Sequence, residues 1–167
     1  MGFCFVNNIA VAARYLQNKY KVNKVAIIDF DVHHGNGTQE IFFNDSSVAY
    51  ASSHEYPLFP GTGSDKETGV GNIFNAPLKT GMKSKEFFQI FNQKILRSID
   101  KFKPEVILIS AGFDAHARDP LANINLESED FYKITKQIVD LGNIHSKGRV
   151  ISFLEGGYDL QALSESI

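Results

Sequence analysis

The sequence predicts an α/β protein built on a mostly parallel, doubly wound sheet with helices on both faces. Short apolar, β-branched runs of the kind that fill strands buried on both sides recur along the chain, most clearly at Val25–Ile28 and Val106–Ile109. Segments with apolar residues at spacings of three and four, the helical period, lie between them. Three of the runs end in unusual chemistry, at Asp31-x-His33, Asp114 and Gly156-Gly157-Tyr158, and parallel strands bring all their C-terminal ends to one edge.

In chain order, Phe5, Ile9, Ala12 and Leu16 mark a helix to about Asn18, and a strand follows from Val25 to Asp31. Thr38 can cap a short helix to about Phe43. Val48 to Ser52 reads as a second strand, leading into a glycine-rich segment to about Asn72 without a clear period. Loops of this length inside compact domains tend to be functional. Asn72 to Leu78 reads as a short strand. Ser84 suits the N-cap of a helix to Lys101, with Phe88, Phe91, Ile95 and Ile99 as its buried stripe. Glu105 to Ser110 is a third apolar strand. Ser128 opens another helix with Phe131, Ile134, Ile138 and Leu141 on one face, and Glu129 and Asp130 complement its dipole. Arg149 to Leu154 is a fourth strand, and Asp159 to Ile167 reads as the opening of a further helix.

With 167 residues, 43% hydrophobic and 22% charged, the composition is that of one globular domain. A net charge of −2 gives no electrostatic argument for nucleic acid or an anionic membrane surface. No apolar run approaches a membrane span, and the first residues lack a secretory pattern. Cys4 is the only cysteine, which rules out an intrachain disulfide and fits a reducing compartment. The expectation is a soluble, cytoplasmic protein.

Asp29, Asp31 and His33 share one face of an extended chain, and carboxylate and imidazole two residues apart suit a divalent metal. With Asp114 they would give two carboxylates and one imidazole, leaving positions open, which is the catalytic rather than the structural pattern for zinc. Such a metal lowers the pKa of bound water and polarises a carbonyl. Tyr158 could donate a hydrogen bond to the oxyanion of a tetrahedral intermediate, and the implied reaction is amide or ester hydrolysis. Plainer readings stand beside these. A lone Asp at a strand end more often closes an Asx turn, and a tyrosine after Gly-Gly more often packs. His34 should point away from His33 into a structural hydrogen bond. His54 and His116 remain open as a general base, His145 reads as solvated, and Phe3, Phe59 and Phe113 could line an apolar tunnel.

At this point the motifs resemble a family. Gly2-Phe3-Cys4-Phe5-Val6-Asn7-Asn8, Asp29-Phe30-Asp31-Val32-His33-His34-Gly35-Asn36-Gly37-Thr38, Phe59-Pro60-Gly61-Thr62-Gly63, Ser110-Ala111-Gly112-Phe113-Asp114-Ala115-His116, Asp119-Pro120-Leu121 and Glu155-Gly156-Gly157-Tyr158 occur in the order seen in zinc-dependent histone deacetylases, especially bacterial, class II-like and acetoin-utilisation-type members. The resemblance implies an arginase/deacetylase-like fold and a zinc-dependent deacetylase of acetyl-lysine or related amides. It makes Asp31, His33 and Asp114 the zinc ligands and Tyr158 the transition-state tyrosine. Phe3, Phe59, Gly157 and Leu121 fall at substrate-contacting positions. Leucine at 121 leans toward acyl-lysine and away from polyamines. Asp29, Ser52 and Ser53 fall where the family builds a K+ or Na+ site. The implied partner is an acetylated lysine protein or small acylated amine.

One departure matters. The family carries a tandem His-His base shortly before Gly-Phe-Cys, and here Met1 immediately precedes Gly2. Residues 1–167 therefore read as the central portion of a deacetylase domain, truncated at both ends. The competing expectations are a non-catalytic metal- or acyl-lysine-binding remnant, half of a split enzyme with a complementing chain that supplies the N-terminal part, or an arginase-like dinuclear hydrolase.

Overall fold

The computed structural model describes residues 4–167. Its centre is a five-stranded, all-parallel sheet of order β3-β2-β1-β4-β5, formed by β1 (Val25–Asp29), β2 (Val48–Glu55), β3 (Ile73–Leu78), β4 (Val106–Ala111) and β5 (Val150–Leu154). Every residue of β1 and β4 is buried. That burial explains their unbroken apolar runs, since a central parallel strand has no solvent face.

Alternation along the strands divides the core. Val25, Ile27, Val48, Tyr50, Val106 and Leu108 pack against α1 (Asn8–Tyr20) and Phe42 of α2 (Asn36–Phe42). Ala26, Ile28, Ala49, Ala51, Ile107 and Ile109 face α3 (Ser84–Ile90), the π-helical turn Phe91–Leu96 that continues it, and α5 (Ser128–His145). Helix α4 (Arg97–Phe102) completes the second layer, and α6 (Leu160–Ser166) follows β5. Among the described residues no helix is long and apolar enough to cross a membrane.

The π turn has a packing reason. Phe87, Phe91, Ile95 and Ile99 are all buried at intervals of four, whereas an α-helix turns every 3.6 residues, so such a row drifts around the cylinder. Bonds of the i→i+5 kind widen the turn and keep the row against the sheet. Phe87, not Phe88, therefore begins the stripe.

Several boundaries differ from expectation for identifiable reasons. Asn7 caps α1 by accepting the Ala10 N–H, so Phe5 stands outside the helix and is fully exposed. Strand β1 ends two residues earlier than expected, at Asp29, and β2 runs on through Ser53, His54 and Glu55, polar side chains that are nonetheless buried. Neither of the two expected hydroxyl caps, Thr38 and Ser84, holds that place. Thr38 lies inside α2 and accepts from Asn7, Ser84 donates to Asp130, and Ser128 bonds His116. Helix α5 begins at Ser128 as expected, behind a Glu127–Asp130 capping box.

The strand order places a topological switch point at β1, because the chain runs outward through β2 and β3 on one side and through β4 and β5 on the other. Open α/β sheets form a crevice at such a point, outside the carboxyl ends of the strands.

Candidate metal centre

The chain leaves β1 at Asp29, and Asp31 and His33 follow at once above the sheet edge. Asp114 arrives from β4, two residues past Gly112. The Nδ1 atom of His33 lies 3.2 Å from Asp31 Oδ1 and 3.0 Å from Asp114 Oδ2. One donor atom from each of the three lies within 4.8 Å of the others. Separations of this order are those between ligands of a single ion with bonds of about 2.0–2.2 Å.

The carboxylates are held by the backbone around them. Asp31 Oδ2 accepts the Gly156 N–H at 2.8 Å and Asp114 Oδ1 accepts the Val32 N–H at 2.8 Å, so the ends of β1, β4 and β5 are cross-tied. These bonds fix each carboxylate while leaving an oxygen of each turned toward His33. Two glycines make the approach possible. A Cβ at Gly156 would lie 2.2 Å from Asp114 Oδ2, and one at Gly112 would lie 2.4 Å from the Asp31 Cα. Sequence reasoning gave neither glycine a role at the metal; its only signal was that both sit at strand ends beside the candidate ligands.

Electrostatics point to a cation. Asp31 and Asp114 are 3% and 0% exposed, and burying two carboxylates side by side is costly unless positive charge joins them. Hydrogen bonds to Asp114 and Asp31 push His33 up to about 10, so a proton on Nδ1 bridges both acids. Burial and the Asp31 charge push Asp114 up to about 6. Burial would raise Asp31 too, but its hydrogen bonds and attraction to His33 carry it below the usual carboxylate range. Exchanging the His33 proton for a divalent ion satisfies the same demand, and an N,O,O donor set fits zinc. Tyr158 follows Gly157, whose φ of +135° suits glycine. Burial and the Asp114 and Asp31 charges push its phenol up to about 12, keeping it a hydrogen-bond donor at neutral pH.

A family model described as the histone deacetylase domain matches residues 1–167. The chain belongs to the histone deacetylase family. It is 44% identical over its whole length to "Histone deacetylase 10, chloroplastic" of Oryza sativa subsp. japonica, covering 39% of that protein. It is 38% identical to a "Probable deacetylase" of Archaeoglobus fulgidus, across 96% of this chain and 45% of the relative. The crystal structure of the HDA15 HD domain superposes with a TM-score of 0.92 at 40% identity, over 99% of this chain and 48% of that one. The chain thus spans about two fifths to one half of these proteins. The parallel sheet with its helices is the deacetylase fold, present in part.

Other residues singled out from the sequence fall as follows. Phe3 lies outside the described residues. Phe59 is 67% exposed on the segment after β2, and Leu121 is 48% exposed. Phe113 is not a channel residue: it is buried against Phe30 and Phe131, with ring centroids 6.1 and 5.2 Å away. Asp29 accepts the Tyr50 hydroxyl and the Asp31 N–H, and burial followed by the Asp31 charge raises its carboxyl well above the usual range. Ser52 bonds His54 on the same face of β2 as Tyr50, so by alternation the Ser53 hydroxyl, which has no partner, points to the opposite face.

The histidines beside His33 are all engaged elsewhere. His54 Nε2 lies 2.8 Å from the Gly63 carbonyl, which can only accept, so the proton is on Nε2 and Nδ1 accepts from Ser52. His34 bonds Thr62 through Nδ1 and Gln39 through Nε2. His116 accepts the Arg118 N–H, reaches Ser128 and stacks on Phe131. His145, expected to be solvated, pairs with Asp100 at 2.8 Å. Among the described residues no histidine is left poised beside the Asp31–His33–Asp114 cluster as a general base.

Proposed function

We propose that this chain carries the metal-binding and oxyanion-stabilising part of a zinc-dependent deacetylase acting on acetyl-lysine or a related acylated amine. The observation that carries the reading is the convergence of Asp31, His33 and Asp114 at the β1–β4 switch point, with a protonated Tyr158 in the same electrostatic field. Asp31, His33 and Asp114 would hold the ion, which supplies Lewis acidity toward the carbonyl oxygen of the scissile amide.

The chain's own groups do the rest. Tyr158 donates its phenolic hydrogen to the carbonyl oxygen as negative charge develops there, the role of an oxyanion-hole donor. Its high pKa keeps that hydrogen in place across the neutral range. Gly156 donates its N–H to Asp31 and so holds the carboxylate in position as charge redistributes. Phe59 and Leu121 offer apolar surface to the stem of an acyl-lysine. Asp29, Ser52 and Ser53, with the main-chain carbonyls of Asp31 and His33, are the candidates for a K+ or Na+ site beside the cluster.

A second reading rests on the histidines. Hydrolysis needs a positioned acid/base, worth about 10²–10⁴-fold in rate, and the four histidines other than His33 are committed to structural bonds. On this reading the chain binds metal and acyl ligand but turns over only when a complementing segment brings the base. Zinc-loaded chain assayed on a fluorogenic acetyl-lysine peptide separates the two, with Tyr158→Phe as control. Turnover lost in Tyr158→Phe supports the first reading. Zinc and hydroxamate binding without turnover supports the second, and failure to bind either removes both.

A further inference from the structure

We propose that Asp119 is a positioning residue that sets Tyr158 and Leu121 in register with each other above the metal cluster. The inference rests on the role given to Tyr158 above, and neither the family match nor the substrate-contacting position of Leu121 assigns Asp119 a part.

The segment between β5 and α6 has no regular structure, yet it must place a phenol accurately. Its backbone N–H groups show how. Glu155 donates to the Ala111 carbonyl at 2.9 Å, Gly156 to Asp31 Oδ2 at 2.8 Å and Tyr158 to Asp119 Oδ2 at 2.8 Å. The tyrosine is thus suspended between two carboxylates. One belongs to the metal cluster and the other lies 39 residues away in sequence.

The second oxygen of Asp119 is also in use. Oδ1 accepts the Leu121 N–H at 2.9 Å, an Asx turn of the kind Asp forms with the residue two positions on. One side chain, 8% exposed, therefore ties the Leu121 corner and the Tyr158 backbone to a common point. Only a carboxylate can do this, because both atoms must accept; an amide would turn a donor toward one of the two N–H groups. Charge on the acceptor makes such bonds stronger than neutral ones.

Two further contacts bind the same pair of segments. Arg118 pairs with Glu165 of α6, one residue before Asp119 and seven beyond Tyr158. The Gly157 backbone passes so close to Phe113 that a Cβ there would lie 3.1 Å from the Phe113 Cβ. Gly156 and Gly157 give the chain freedom to turn, and Asp119 removes that freedom where the reacting group begins. Phenol displacement of about 1 Å is enough to cost about 10²-fold in rate.

The test uses the zinc-loaded chain with Asp119→Ala and Asp119→Asn. Backbone amide hydrogen exchange should show Tyr158 and Leu121 accelerating together in Asp119→Ala, while Gly156 and Val32, which donate to Asp31 and Asp114, stay slow. Asp119→Asn keeps the size and should release only one of the two amides, which covers the case in which the alanine variant fails to fold. Zinc affinity should remain within about twofold of wild type. Affinity for a short alkyl hydroxamate should fall in Asp119→Asn, and most of that loss should vanish in a Tyr158→Phe background, a non-additivity that general loosening would not produce. Unchanged exchange at Tyr158, or additive effects of the two substitutions on hydroxamate binding, would overturn the proposal. Failure of the wild-type chain to bind hydroxamate would count against the deacetylase reading instead, and amide exchange would still decide Asp119.

Discussion

His33 and His34 are neighbours in sequence, and their surroundings make opposite uses of the same side chain. His33 turns into a pocket with two buried carboxylates, which push it up to about 10. His34 turns to the other side, where burial pushes it down and its partners are the neutral Thr62 hydroxyl and Gln39 amide. His54 packs beside it with ring centroids 4.7 Å apart and is pushed down to about 4, first by burial and then by His34. The first pocket carries two buried carboxylates that a cation must answer, whereas burial favours the neutral form of both histidines in the second, each with its ring nitrogens bonded. The nearby Glu67 carboxylate is answered by Gln39 and the Gly63 and Ser64 N–H groups. The difference separates a site from its scaffold: each pocket sets histidine among buried side chains, but only the one with two buried carboxylates needs something added.

Both pockets contain a glycine that cannot accept a side chain, and this offers the largest break in the comparison. Gly156→Ala puts a Cβ 2.2 Å from Asp114 Oδ2, and Gly63→Ala puts one 2.4 Å from His54 Nε2 at a φ of +91°. Each should destabilise the chain by about 1–3 kcal/mol, the usual cost of overpacking. Only Gly156→Ala should also weaken zinc binding, by about 10–100-fold as for loss of a group supporting a ligand. Thermal melts with paired zinc titrations would show it, and equal zinc affinities in the two variants would erase the distinction.

The pH dependence should be smaller and of opposite sign in the two pockets. His33 is raised, so in metal-free protein its contribution to stability is full below the unfolded value of about 6.5 and is lost as pH rises toward about 10. His54 is depressed, so its contribution is full above about 6.5 and is lost as pH falls toward about 4. Melting temperature of metal-free chain should therefore decline on both sides of neutrality. His54→Gln should flatten the acid limb and His33→Gln the alkaline one. A substitution that flattens the wrong limb would show that the two environments have been misread.

Much of this was legible in the sequence because it depends on local pattern. Val25–Ile28 and Val106–Ile109 announce buried parallel strands by their lack of alternation, and parallel strands with chemistry at their C-terminal ends imply convergence. The rest depends on partners far away in the chain. Thr38 and Ser84 each have the look of an N-cap, but their hydroxyls go to Asn7 and Asp130, which no local rule reveals. Strand β2 is longer than its apolar run because Ser53, His54 and Glu55 are polar and yet buried. His54 is satisfied by Ser52 and Gly63, and Glu55 by Thr80 and Asn123. Gly112, Gly156 and Asp119 acquire their roles only when β1, β4 and β5 lie side by side. A sequence can show that a carboxylate stands at a strand end; which N–H it accepts is a tertiary fact.

The central claim is that Asp31, His33 and Asp114 hold one divalent ion at the β1–β4 switch point. Its most direct test is a zinc titration of the purified chain followed by X-ray absorption at the zinc edge. One zinc per chain is predicted, with a single imidazole nitrogen and otherwise oxygen ligands, and with binding lost in Asp31→Ala. Substoichiometric zinc, a sulfur ligand from Cys4, or an unchanged spectrum in Asp31→Ala would contradict it.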